Sequence, residues 1–209
     1  MKNYLVEFIG TFFLVLVIGL TVIEPGAGSL APLAIGATLM VMVYAGGHIS
    51  GAHYNPAVTL AVWMRGKCDT KDVAPYMISQ IVAAIIAALI VNFFKGGTAV
   101  APSSVEIAKA LLNEFLFTFA LAYVVLNTAT SKKNAGNSYY GLAIGFTLAV
   151  GAFAGGAISG GAYNPAVAVG ITTMGLIPAG MIWVFLIGNF AGGAVAATIY
   201  NIVNPEEYQ

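Results

Sequence analysis

Six apolar runs, at about residues 4–22, 30–46, 73–94, 107–126, 139–158 and 178–203, dominate this chain of 209 residues. Most approach the ~20 residues that a helix needs to cross about 30 Å of hydrocarbon. No other feature constrains the fold as much, because backbone in lipid must satisfy its own hydrogen bonds, which leaves only helices or a closed barrel. Barrel strands would alternate apolar and polar residues, and YMISQIVAAIIAALIVNFF at 76–94 does not. A soluble domain carries about 25% charged residues; this chain has 8%, with 59% hydrophobic residues and a mean hydropathy of +0.90. The expected fold class is therefore an all-α membrane protein with six transmembrane helices. The first run is too long for a signal peptide and has no cleavage-type ending, so it reads as a retained helix.

Net charge is zero, but the basic residues are unevenly placed. Threading six crossings puts Lys2, Arg65, Lys67, Lys71, Lys132 and Lys133 on one side and only Lys95 and Lys109 on the other. That imbalance predicts cytoplasmic termini. The single cysteine, Cys68, excludes an intrachain disulfide and falls in an expected cytoplasmic loop. Nothing in the composition points to nucleic acid.

Two segments repeat. SGAHYNPAVTL at 50–60 returns as SGGAYNPAVAV at 159–169, and EFIGTFF at 7–13 returns as EFLFTFA at 114–120. The chain reads as a single transmembrane domain, 1–209, built from two repeats of about 1–100 and 101–209. Three crossings per repeat is an odd number, so the second repeat enters the membrane from the opposite face, an inverted arrangement with its site near the midplane.

The repeated Asn-Pro pairs have a local meaning. Asn is a preferred N-cap, Pro suits the first helical position and Ala continues a helix. Asn55, Pro56, Ala57 and Asn164, Pro165, Ala166 thus each start a helix. From Asn55 to the charges beginning at Arg65 there is room for roughly 15 Å of helix, half a crossing. Two half-helices are expected to meet head to head, each fed by a Gly-rich irregular segment, GGHISGA or GGAISGGA. Each N-terminus carries about half a positive charge, so together they oppose a cation by on the order of 4 kcal/mol at ~4 Å and an effective dielectric near 20. With the Asn oxygens used as caps, the amide N–H groups face the lumen as donors. Such a centre suits neutral hydrogen-bonding solutes and interrupts a proton relay.

The paired NPA motifs, with GHISGAHYNPAVT and the Glu-led openings at Glu7 and Glu114, resemble the aquaporin (major intrinsic protein) family across nearly the whole chain. That resemblance implies a passive channel for water and small uncharged solutes, a homotetramer in a lipid bilayer, and no cofactor or metal. It also implies that Glu7 and Glu114 accept hydrogen bonds from the irregular segments. His48 and His53 read as further polar groups for the first of these, since Ala157 and Ala162 stand at the matching places of the second. Gly and Ala in GNFAGGAVAA, 188–197, read as close helix packing.

The family's outer filter maps onto Ile35, Ala152, Gly161 and Val167. Most members carry Arg where Val167 stands. The Val is similar to that of plant tonoplast intrinsic proteins, although their usual His in the second helix is absent, and Ala168 replaces the Asp typical of glycerol facilitators. A wide, apolar filter is expected, favouring ammonia, urea or glycerol besides water. The alternative is a metal-dependent intramembrane enzyme or an ion-coupled transporter built on Glu7, Glu114, His48 and His53. The short termini lean toward a prokaryotic cell (inner) membrane.

Overall fold

In the computed structural model, residues 1–97 and 105–207 are described. The expected boundary between the repeats, near residue 100, lies outside them. Eight helices follow in order: α1 (Lys2–Val22), α2 (Ala31–Ser50), the short α3 (Pro56–Met64), α4 (Thr70–Phe94), α5 (Ile107–Val125), α6 (Tyr140–Ser159), the short α7 (Pro165–Thr173) and α8 (Ile182–Val203). All but α3 and α7 belong to segments long and apolar enough to cross a membrane, and no strand occurs among the described residues. Their outward faces carry residues such as Leu5, Ile9, Ile78, Leu89, Leu116 and Ile187. In water these would be a liability; against lipid tails they are solvated.

The packing is repetitive. α1 lies against α2 and α4, α5 lies against α6 and α8, and α2 meets α6 across the middle. The short helices cross over, α3 onto α8 and α7 onto α4. Small residues set the distances. A Cβ on Gly36 would stand 2.6 Å from both the Ala149 Cβ and the Gly145 carbonyl oxygen, and one on Gly192 would stand 2.5 Å from the Phe115 oxygen. With no hydrophobic drive between helices in lipid, such close approach supplies the dispersion contacts that hold a bundle.

Two expectations about boundaries need correction. GGHISGA and GGAISGGA are helical through Ser50 and Ser159, and only Gly51–Tyr54 and Gly160–Tyr163 leave the helix. The glycines at 46 and 155 serve the approach of a ring, not an irregular backbone. A Cβ on Gly46 would fall 2.0 Å from the Tyr54 Oη, and one on Gly155 would fall 2.4 Å from the Tyr163 Oη.

The turn after α8, Pro205–Glu207, returns to the end of α3. The Glu207 carboxylate accepts from Arg65 Nη2 (2.8 Å), Ser131 Oγ (2.6 Å), the Lys132 amide (3.0 Å) and Tyr200 Oη (2.9 Å). Arg65 also donates to the Glu207 carbonyl at 3.0 Å and lies over the Tyr200 ring. The Ser131 hydroxyl foremost, with the Lys132 amide and the Tyr200 hydroxyl, holds the Glu207 carboxyl down at about 2.

Candidate functional site

The two segments that leave the helices have matching backbones. Gly51, Ala52 and Tyr54 have φ of 86°, 51° and 50°; Gly160, Gly161 and Tyr163 have 95°, 66° and 49°. Left-handed backbone costs a non-glycine residue on the order of 1 kcal/mol or more, and the cost is offset by what the amides reach. Ser50 Oγ accepts from the Ala52 amide, and Glu7 accepts from those of His53 (2.9 Å) and Tyr54 (2.7 Å). Ser159 Oγ accepts from the Gly161 amide, and Glu114 accepts from those of Ala162 (3.0 Å) and Tyr163 (2.7 Å).

This has a consequence for the carbonyls. A trans peptide points its C=O and N–H in opposite directions within one plane. With three successive N–H groups turned onto the Ser and Glu, the carbonyls of Gly51, Ala52 and His53, and of Gly160, Gly161 and Ala162, point the other way. That makes two short rows of acceptors.

Glu7 and Glu114 are 0% exposed, and each accepts from four donors. Besides the amides, Ser50 Oγ and Gln80 Nε2 reach Glu7 at 2.7 and 2.8 Å, while Ser159 Oγ and Asn189 Nδ2 reach Glu114 at 2.6 and 2.8 Å. Four donors occupy the lone-pair directions of a carboxylate. These two groups are anchors of backbone. His53 has its Nδ1 3.2 Å from Thr59 Oγ1 and its ring beside Tyr76, whereas His48 is exposed in the last turn of α2. Among the described residues no group of three or more His, Cys, Asp or Glu is placed to hold a metal ion.

Asn55 and Asn164 cap α3 and α7. The Asn55 Oδ1 accepts from the amides of Ala57 and Val58 at 2.8 and 3.4 Å, and the Asn164 Oδ1 from those of Ala166 and Val167 at 2.9 and 3.4 Å. The expectation of wholly free amide donors is refined here. Asn55 Nδ2 donates to the Tyr163 carbonyl at 2.9 Å, and Asn164 Nδ2 donates to the Tyr54 carbonyl at 2.8 Å. Each NH₂ has two hydrogens, so one per Asn stays uncommitted.

One cavity, of about 260 Å³, runs past this centre. Asn55 and Asn164 line it together with Ile35, Ala152, Gly161 and Val167, the four residues singled out as filter positions. Ala52, His53, Tyr54, Gly160 and Ala162 come from the two loops, and the remaining lining comes from α1, α2, α3, α5, α6, α7 and the turn after α7. Among the described residues, no Asp, Glu, Lys or Arg lines it.

Several members of the site were not singled out from the sequence: Ser50 and Ser159, Tyr54 and Tyr163, Gln80 and Asn189. All three pairs keep the 109-residue offset of the Asn pair. The signal was present in the repeat, and only the equivalence of Gln and Asn as amide donors obscured its last member.

A family model described as Major intrinsic protein matches residues 1–200. The chain is 34% identical over 213 residues to aquaporin NIP1-4 of Oryza sativa subsp. japonica, covering 97% of this chain and 77% of that protein. It is 33% identical over 217 residues to glycerol uptake facilitator protein-like 6 of Lactiplantibacillus plantarum, covering 99% and 100%. Over 169 residues it is 37% identical to aquaporin TIP1-1 of Arabidopsis thaliana, covering 78% and 67%. In three dimensions it resembles the crystal structure of the aquaglyceroporin from Plasmodium falciparum, with a TM-score of 0.80 at 21% identity, covering 99% and 98%.

Proposed function

The chain belongs to the major intrinsic protein family, and on that premise we propose the following account of an integral membrane channel that passes water and small uncharged solutes passively. The observation that carries the account is a cavity that both Asn residues line together, with no Asp, Glu, Lys or Arg in its lining among the described residues. A solute entering it exchanges hydrogen bonds to bulk water for bonds to the loop carbonyls of the residues that line it. At the centre it accepts from the uncommitted hydrogens of Asn55 and Asn164. A water molecule oriented there as an acceptor directs its own hydrogens outward, which interrupts proton hopping. The N-termini of α3 and α7 add about half a positive charge each, a barrier to cations on the order of 4 kcal/mol at ~4 Å and an effective dielectric near 20.

In this account Asn55, Pro56, Ala57, Asn164, Pro165 and Ala166 form the pore centre, while Ile35, Ala152, Gly161 and Val167 form the outer filter. Only Ile35 and Val167 carry branched side chains there, and none of the four offers a side-chain donor. Glycerol, urea or ammonia therefore pass as well as water. Glycerol uptake is in the printed name of the Lactiplantibacillus plantarum relative, which supports the inclusion of glycerol. The channel is a homotetramer of chains that each hold two inverted repeats, about 1–100 and 101–209. It sits in a prokaryotic cell membrane with its termini in the cytoplasm, as the six-to-two split of basic residues favours.

The test is light scattering from proteoliposomes under sucrose, urea and glycerol gradients. Val167→Arg puts a guanidinium with five donors and a fixed charge into the filter. The parent is expected to pass the two solutes, and the variant to lose them more than it loses water. A parent that passes water and excludes both urea and glycerol rules out the wide filter.

A further inference from the structure

α7 ends in a turn that brings the chain back toward the cavity. The Gly175 amide donates to the Thr172 carbonyl at 3.0 Å and the Leu176 amide to the Ile171 carbonyl at 2.9 Å, with Gly175 at φ 80°. This is the paired-bond helix ending that needs a left-handed residue, hence glycine. Pro178 then prevents any helical continuation and hands the chain to α8. Ile177, between the two, is 2% exposed.

The same turn closes α3. The Gly66 amide donates to the Trp63 carbonyl at 2.8 Å and the Lys67 amide to the Val62 carbonyl at 3.0 Å, with Gly66 at φ 76°. At the 109-residue offset, Cys68 is the counterpart of Ile177 and Gly51 that of Gly160. The outcome differs between the two turns. Leu176 and Ile177 line the cavity, as does Gly160, whereas Lys67, Cys68 and Gly51 do not. A Cβ built on Gly160 would meet one group within 4 Å, the Ile177 Cγ2 at 3.8 Å. A Cβ on Gly51 would meet the His53 ring instead. One turn therefore places a branched side chain over the start of its loop, whereas at the other loop the matching place is taken by the His53 ring.

The geometry points to Ile177 as a specificity-determining residue of the channel: a fifth side chain of the outer filter, set over Gly160, next to the smallest filter position, Gly161. The proposal rests on the reading of Ile35, Ala152, Gly161 and Val167 as the filter. A solute passing Val167 and the Gly160–Gly161 backbone slides along the Ile177 methyls, which offer it no hydrogen bond. Their effect falls on solutes broader than water. Gly161 has a left-handed φ of 66°, and a Cβ there would stand 3.3 Å from the Gly156 Cα and 3.4 Å from the Tyr163 ring; a side chain arriving from another element narrows the passage without that strain.

Ile177→Val, Ile177→Ala and Ile177→Phe are compared with the parent and with Val167→Arg in proteoliposomes, reading the ratio of glycerol to water permeability with channel density normalised. Ile177→Ala is expected to raise the ratio by about tenfold, the low end of what one methylene does to discrimination in an apolar pocket. Ile177→Val should raise it less, and Ile177→Phe should lower it. If the Ile177 variants keep the parental ratio while Val167→Arg lowers it, the filter stands and Ile177 has no part in it. If none of the four substitutions moves the ratio, the filter assignment itself falls, and the role of Ile177 falls with it. Should Ile177→Ala fail to fold, the opposite shifts expected of Val and Phe decide the matter, and an unchanged ratio in both overturns the proposal.

Discussion

Replacing Asn55 by Ala removes two supports at once. The first is the N-cap of α3, where Oδ1 accepts from Ala57 and Val58; losing such a cap costs ~1 kcal/mol. The second is the bond from Nδ2 to the Tyr163 carbonyl, whose residue is itself buried. Leaving that oxygen unpaired costs about 1–3 kcal/mol. The sum is about 2–4 kcal/mol, and the same arithmetic applies to Asn164→Ala through the Tyr54 carbonyl. For a domain of this size each kcal/mol moves a thermal midpoint by roughly 2–4 °C, so both variants should melt well below the parent in detergent. Asn55→Ser separates the two parts, because Ser is also a preferred cap but cannot reach across to Tyr163. It should recover about 1 kcal/mol and no more. The assay is intrinsic-fluorescence melting, combined with proton flux into vesicles carrying a pH dye. Alanine variants that melt with the parent and stay proton-tight would refute the structural and electrostatic roles given to the Asn pair together.

The glycine contact between α2 and α6 and the tail contact each give a further expected outcome. Gly36→Ala forces a methyl into backbone and Cβ atoms 2.6 Å away, so it should destabilise by about 1–3 kcal/mol, while Gly180→Ala, which meets nothing within 4 Å, should melt as the parent does; equal melting of the two variants would refute the packing argument. Glu207 is held below the ordinary carboxylate range of about 4.3, so it contributes stability above that range and loses it as the pH falls toward about 2. The gap in midpoint between parent and Glu207→Gln should accordingly be full above pH ~5 and close toward pH ~2; a gap that stays constant through that window would show that the carboxylate is not the group being held.

How much of this could be read beforehand depended on how local each cause was. The six crossings follow from apolar length, and the caps at Asn55 and Asn164 follow from residues within three positions of each other, so both were legible. The ends of α2 and α6 are not legible, because a Gly pair reads as irregular backbone, whereas Gly46 and Gly155 are small to admit Tyr54 and Tyr163. That is a fact about a neighbour, not about the pair. Its sequence position groups Arg65 with the basic residues of one membrane side, yet it is buried against Glu207, 142 residues away. No pattern in the sequence joins those two residues. The cross-loop bonds from the Asn amides belong to the same class: cap chemistry fixes the oxygen, and only the meeting of two distant segments fixes the nitrogen.

Those cross-loop bonds reach beyond the energetics of one site. Asn55 gives a hydrogen to the residue before Asn164, and Asn164 gives one to the residue before Asn55. An exchange in which i serves j and j serves i is the relation found across a two-fold axis between identical subunits. A chain of half this length would carry both the donor and the acceptor, and an inverted second copy would complete each. Joining two such copies end to end creates no new bond at the centre. What it does is release the two faces of the membrane from having to be alike, and Ile177 opposite Cys68 is a place where they have already parted.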